Sequence, residues 1–358
     1  MKLAALVPRT SRARAMVLAS VMAVIGIVLS MSLPVPYVIV SPGPVFDTLG
    51  EYRGEQIVQI SGTTTYPTDG QINMTTVSER GGPYGPLTVG EAVYAVFNNS
   101  MAVIPRELLF PPELNDEQAK QRSAKDFDEA QSNAVAAALG ELDIPVTTHP
   151  MVTSVVTDGP ADGVLEPGDV LLSVDGTPVT TGAEVVAAVQ TQEPGQTLPM
   201  LVARDGDQLP LEVPVGANPD NPERSYLGVT LQPHYEAPFD IDFTLEGVGG
   251  PSAGLVFSLA IIDELQPESL TGGDVIAGTG TIDPAGKVGA IGGIGQKMVA
   301  AQNAGAVLFL APRANCDVVR TSAPDGLPVA AVETLDDALT ALADHRAGRP
   351  VVGCDEPA

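Results

Sequence analysis

From Ala15 to Phe46 the chain carries no charged side chain, and the stretch AMVLASVMAVIGIVLSMSL, Ala15 to Leu33, is its most apolar part. About 20 apolar residues span a bilayer as a helix, so this run predicts a transmembrane helix, drawn over 15–37. Lys2, Arg9, Arg12 and Arg14 all precede it. Basic residues on that side predict a cytoplasmic 1–14 segment and an extracytoplasmic remainder. A cleaved signal peptide is the competing reading. Its apolar core normally runs about 7–15 residues before a small-residue site. This run is longer, and LSMSLPVP makes a poor site.

The charge balance restricts partners. There are 18 basic against 44 acidic residues, for a net charge of −26. No cluster of Lys and Arg follows the N-terminus, which argues against nucleic acid. Two cysteines occur, Cys316 and Cys354, with no CxxC or Cys/His spacing, so no metal site is predicted. Outside the cytoplasm they can form one disulfide; two free thiols are the alternative.

Between residues 38 and 140, GQINMTTVS (70–78) alternates like a strand, with Ile72, Met74 and Thr76 on one face. TVGEAVYAVF (88–97) has helical spacing, and 115–139 reads as one long, mostly polar helix with a solvated charged face. Short strands with turns then take over, over 141–217. VLEPGDVLLSVDGTPV contains an Asp175-Gly176 hairpin signal, and GAEVVAAVQ reads as a short helix with Val185, Val186 and Val189 inward. This order, and GPADGVLEPGDVLLSVDGTPV in particular, resembles a bacterial PDZ domain. The resemblance implies an edge strand and helix groove that takes extended peptides or chain ends. The nearest upstream counterpart of its carboxylate loop is Ala138-Leu139-Gly140-Glu141, a weak match. ANPDNPERS (217–225) reads as a linker. Strand and helix then alternate over 218–343, as in an α/β domain, before a 344–358 tail.

The chemistry gathers on two motifs. Gly249-Gly250-Pro251-Ser252-Ala253-Gly254 sits between the strand-like IDFTLEGV and the helical SAGLVFSLAIIDEL. Pro251 suits a helix start. The free N–H groups of a first turn, here Ser252 and Ala253, suit an oxyanion hole. A serine nucleophile needs a base. In GAIGGIGQKMVAA, Lys297 falls in the first turn of a helix ended by Gly305. The positive helix end and apolar neighbours both disfavour its protonated form. Lys287, in the turn DPAGKVGA, is the weaker alternative.

GPSAG and GTGTIDPAGKVGAIGGIGQKMVAAQNAGA together resemble the proteolytic domain of Lon, the S16 peptidases, over about 241–343. The resemblance implies Ser252 as nucleophile, Lys297 as general base and Thr279 as a hydrogen-bond partner of the lysine. It also implies a possible homo-oligomeric ring. Family members often carry an acidic residue where Gly249 stands, and glutamate where Thr281 stands. Lon is ATP-driven, yet this chain has no Walker A loop, so neither ATP nor another cofactor is predicted. The order of anchor, PDZ and Lon-like parts resembles a bacterial family of membrane proteases. The strand near 70–78 resembles the start of the proteolytic domain, with the PDZ part inserted into it.

The expected fold is therefore α+β and multi-domain: a transmembrane helix, a PDZ-like β-rich domain and a Lon-type α/β domain. The expected function is an ATP-independent serine endopeptidase acting on extracytoplasmic or membrane-associated proteins. Two alternatives stay open. One is a non-catalytic membrane-anchored PDZ scaffold. The other is an α/β-hydrolase, since GPSAG also fits G-x-S-x-G, with His345 as base and Asp274, Asp283 or Asp336 as its orienter.

Overall fold

The computed structural model describes residues 11–111, 114–204, 206–245 and 247–355. Lys2, Arg9 and the last tail residues lie outside the described residues. The first helix, α1 (Ser11–Met31), stops short of residue 37. Pro34 and Pro36 explain this, because the residue before a proline is pushed out of the helical region. Counting described residues alone, no helix is long and apolar enough to cross a membrane. The membrane-span reading thus rests on the sequence.

After α1 the chain forms β1 (Tyr37–Asp47) and β2 (Gln71–Gly81). The next elements are α2 (Val89–Val96), β3 (Ala102–Pro105) and α3 (Asp116–Glu141). Thr88 and Glu91 form a capping box on α2, as Asn115 and Gln118 do on α3. α3 is solvated only in part. Phe127, Ala130 and the alanine-rich turn from Ala134 to Leu139 are buried, and Phe127 packs edge-to-face on Phe257.

The second body holds β4 (Thr147–Val155), β5 (Val170–Val174), α4 (Gly182–Gln190), β6 (Thr197–Arg204), β7 (Asp207–Pro214) and β8 (Val229–Glu236). Its sheet order is β7-β6-β5-β4-β8, so β8 is an edge. Asp175 and Gly176 take φ of 49° and 71°, as a tight hairpin turn requires. The core includes Val152, Leu171, Val185, Val189 and Val202; Val186 is exposed instead. Residues 217–225 are not a linker: Gly216–Asn218 pairs with Asn221–Tyr226. Asn218 Oδ1 closes that turn by accepting from the N–H groups of Asp220 and Asn221, which hydrophobic patterning cannot reveal.

The remaining elements are α5 (Gly254–Leu265), β9 (Val275–Gly278), α6 (Ile294–Asn303), β10 (Leu308–Pro312), β11 (Val329–Val332) and α7 (Leu335–Arg346). They join the early strands in one six-stranded sheet, ordered β11-β10-β9-β2-β1-β3. β9 runs parallel to both β2 and β10, whereas β1 is antiparallel to β2 and β3. Strands on either side of the PDZ-like body in sequence are therefore neighbours in one sheet. Thr75 Oγ1 ties them, donating to the carbonyl of Gly278 at 3.0 Å. α5 is almost wholly buried, and the largest core forms around it.

Candidate active site

Ser252 stands at the loop-to-helix junction ahead of α5, whose cap residue is Ala253. Gly280 N donates to the Ser252 carbonyl, and Leu255 N to the Gly280 carbonyl. The Ser252 turn is thereby laced to the Gly278-Thr279-Gly280 segment. Among the described residues, the N–H groups of Ser252 and Ala253 have no hydrogen-bond acceptor.

Lys297 projects from the first turns of α6 and is 3% exposed. Its Nζ lies 2.5 Å from Ser252 Oγ and donates to Thr279 Oγ1 at 2.9 Å. Thr279, fully buried, donates its own hydroxyl to the Ser252 carbonyl at 3.0 Å. Burial pushes the lysine amine down from 10.5 to about 7. An ammonium sealed from water loses its solvation, so the neutral amine is favoured. Near neutral pH much of it is free to accept a proton.

Residues silent in the sequence reading complete the site. α3 supplies Ser123, whose carbonyl accepts from Gly250 N at 2.8 Å. A Cβ on Gly249 would come 2.3 Å from Ser123 Oγ. A side chain at position 249 would thus collide with α3. Gly293, at φ 68°, precedes α6; a Cβ there would approach Val77 Cγ1 to 2.7 Å. Asn315 clamps the adjoining loop, accepting from Ile291 N and donating to the Ile291 carbonyl. No local pattern marks Ser123, Thr75 or Asn315, because each acts across a long sequence gap.

Ser252 and Lys297 open into a cleft of about 780 Å³ lined by β1, β2, α3 and the 247–253 and 290–293 loops. Lys287 is exposed, in the turn where Asp283 Oδ1 accepts its N–H. His345 pairs with Asp274 at 2.9 Å, and the Ser252 hydroxyl meets Lys297 instead. The hydrolase triad is therefore not assembled with His345. Cys316 and Cys354 form a disulfide with Cα atoms 5.2 Å apart.

In the PDZ-like body the expected carboxylate loop does not lie upstream of the helix. Ala138, Leu139, Gly140 and Glu141 lie inside α3, with Ala138 and Leu139 fully buried, and form no loop. Tyr226-Leu227-Gly228-Val229 leads into the edge strand β8 instead, with Gly228 at φ 77°. α4 flanks that strand: a Cβ on Gly182 would sit 3.6 Å from Leu231 Cβ. The Leu-Gly pair just before a strand was the available signal. It lies after the PDZ-like helix rather than before it.

Comparison with known proteins agrees with both bodies. A PDZ domain model matches residues 127–215, and the Lon protease (S16) C-terminal proteolytic domain matches 247–344. A probable periplasmic serine endoprotease DegP-like of Ectopseudomonas mendocina (strain ymp) is 41% identical over 71 residues, 20% of this chain and 15% of that one. The Lon protease of Clostridioides difficile (strain 630) is 36% identical over 93 residues, 25% of this chain and 12% of that one. The chain thus spans under a sixth of each of these relatives. The PDZ domain of an SdrC-like protein from Listeria monocytogenes superposes with a TM-score of 0.22 at 21% identity, covering 23% of this chain and 86% of that one. The chain therefore carries a PDZ domain and a Lon protease (S16) C-terminal proteolytic domain, a combination that supports a serine endopeptidase.

Proposed function

We propose that this protein is an ATP-independent serine endopeptidase with a Ser252–Lys297 dyad, held at a membrane by α1 and acting on extracytoplasmic or membrane-associated polypeptides. The observation that carries the reading is the buried amine of Lys297, depressed to about 7 and 2.5 Å from Ser252 Oγ. The neutral amine accepts the Ser252 hydroxyl proton as Oγ attacks the scissile carbonyl. The resulting oxyanion accepts hydrogen bonds from the N–H groups of Ser252 and Ala253. The lysine ammonium then returns the proton to the leaving amine, and water attacks the acyl-serine by the reverse route. Thr279 holds the amine in line, since it bonds both Nζ and the Ser252 carbonyl.

The PDZ groove between β8 and α4 supplies an edge for an extended peptide, with the Gly228 turn available for a terminal carboxylate. Anchoring is supported by the charge-free run from Ala15, which fills residues 15–31 of a 21-residue helix about 32 Å long at the helical rise. Leu18, Met22 and Leu29 on it are 64–67% exposed. Protein sedimenting with membranes only when α1 is present would support the anchor; unchanged partitioning without it would not.

Purified full-length protein in non-ionic detergent, given an unfolded protein without nucleotide, should produce fragments that Ser252→Ala does not. A strict ATP requirement, or equal cleavage by the variant, would defeat the proposal. A pure PDZ scaffold would cleave nothing.

A further inference from the structure

Among the described residues, the cleft has two charged side chains in its lining, Lys297 and Glu79. Lys297 is engaged with Ser252 and Thr279. Glu79 is not engaged: among the described residues, no hydrogen bond or ion pair reaches its carboxylate. Its neighbour Arg80 turns to the other face of the strand and pairs with Glu91 at 2.5 Å.

The register fixes where Glu79 stands. It pairs with Val40 across β1 and β2, and Val77 is two residues before it. Residues two apart share a face. Val77 and Val40 both lie against Gly293, the residue that starts the Lys297 helix. Glu79 therefore belongs to the sheet face that carries the dyad, about 7 Å along the strand from Val77. Tyr84 lies near it: burial first, and then the Glu79 charge, raise the Tyr84 phenol. Val40, Ile104 and Leu109 give the cleft an apolar part, alongside the hydroxyls of Ser78 and Ser123.

Apolar side chains, an aromatic ring and a lone carboxylate together match a long side chain with an aliphatic stem and a cationic head. We propose that Glu79 is a specificity-determining residue that receives a lysine or arginine side chain of the polypeptide substrate, close to the bond presented to Ser252. This rests on the peptidase reading above. Desolvation raises the Glu79 carboxyl, so an incoming cation would supply what the cleft lacks. Burial is the cause that depresses Lys297, so the carboxylate does not hold the catalytic amine charged.

The test uses full-length protein in detergent, a mixture of denatured proteins, and mass spectrometry of the new termini. Ser252-dependent cuts should be enriched in Lys or Arg at one subsite within a few residues of the scissile bond. Glu79→Gln should abolish that enrichment. The ratio of kcat/KM for a basic over a matched neutral peptide should fall about tenfold or more, the scale of one hydrogen bond to a charged group. Glu79→Lys should shift the preference towards Asp and Glu. Ser252-dependent cuts without a basic preference would overturn this inference alone. An equal loss on basic and neutral peptides would also overturn it, by making Glu79 a structural residue. No Ser252-dependent cuts at all would remove the peptidase reading and this inference with it.

Discussion

Replacing Lys297 by methionine should make the protease core more stable while abolishing catalysis. A lysine whose pKa is 10.5 when unfolded and about 7 when folded opposes folding. At 1.36 kcal/mol per pH unit, that opposition approaches about 5 kcal/mol on the acid side. Methionine keeps the apolar stem and removes the amine. It also gives up the contacts to Ser252 Oγ and Thr279 Oγ1, each about 1 kcal/mol net. The variant should therefore gain about 3 kcal/mol at pH 6. The sign follows from proton linkage. Between pH 7 and 10.5 the unfolded lysine holds a proton that the folded one has lost, so wild-type stability rises with pH. By pH 9 the opposition has fallen to about 2 kcal/mol, and the variant's advantage should vanish. Glu264, pushed up to about 7 by burial and the Asp263 charge, titrates nearby with the opposite effect: its contribution is lost as pH rises towards 7. It is present in both proteins and cancels in their difference. Urea denaturation at pH 6, 7, 8 and 9, followed by far-UV circular dichroism, measures that difference. A wild-type-minus-variant difference that is flat in pH would show a lysine titrating normally and refute the reasoning.

Two further outcomes test the surroundings. Gly249→Ala should lower kcat about tenfold or more without loss of helix content, because its Cβ would meet Ser123 Oγ; Ser123→Ala should restore part of that loss, and no rescue would refute the packing argument. Denatured, unreduced protein should show no free thiols, and Cys354→Ser should cost about 4 kcal/mol by loop entropy for a separation of 38 residues; two titratable thiols would count against the bridge and the proposed extracytoplasmic location.

The legible parts of the chain are those written locally. Gly249 to Gly254 and the Gly-rich run into Lys297 are contiguous, so their strand-loop-helix form can be read from turn and capping chemistry. The Asp175-Gly176 hairpin belongs to the same class. Long-range features are less legible. Helix α3 looks solvated because its first half carries the charges, yet its alanine-rich half and Phe127 are buried and Ser123 backs the nucleophile loop. Thr75 reaches Gly278 across 203 residues, a distance over which periodicity says nothing. Tyr226 to Val229, the turn into the edge strand, is not legible because it follows the PDZ-like helix in sequence.

The most direct test of the dyad is the rate at which Ser252 is phosphonylated by a fluorophosphonate, followed by intact mass from pH 5.5 to 9. Because Lys297 must be neutral to take the serine proton, the wild-type rate should rise through a midpoint near pH 7. Lys297→Ala should stay unlabelled throughout, and Lys287→Ala should behave as wild type. Labelling of Lys297→Ala at the wild-type rate, or a label mapped to a residue other than Ser252, would contradict the account.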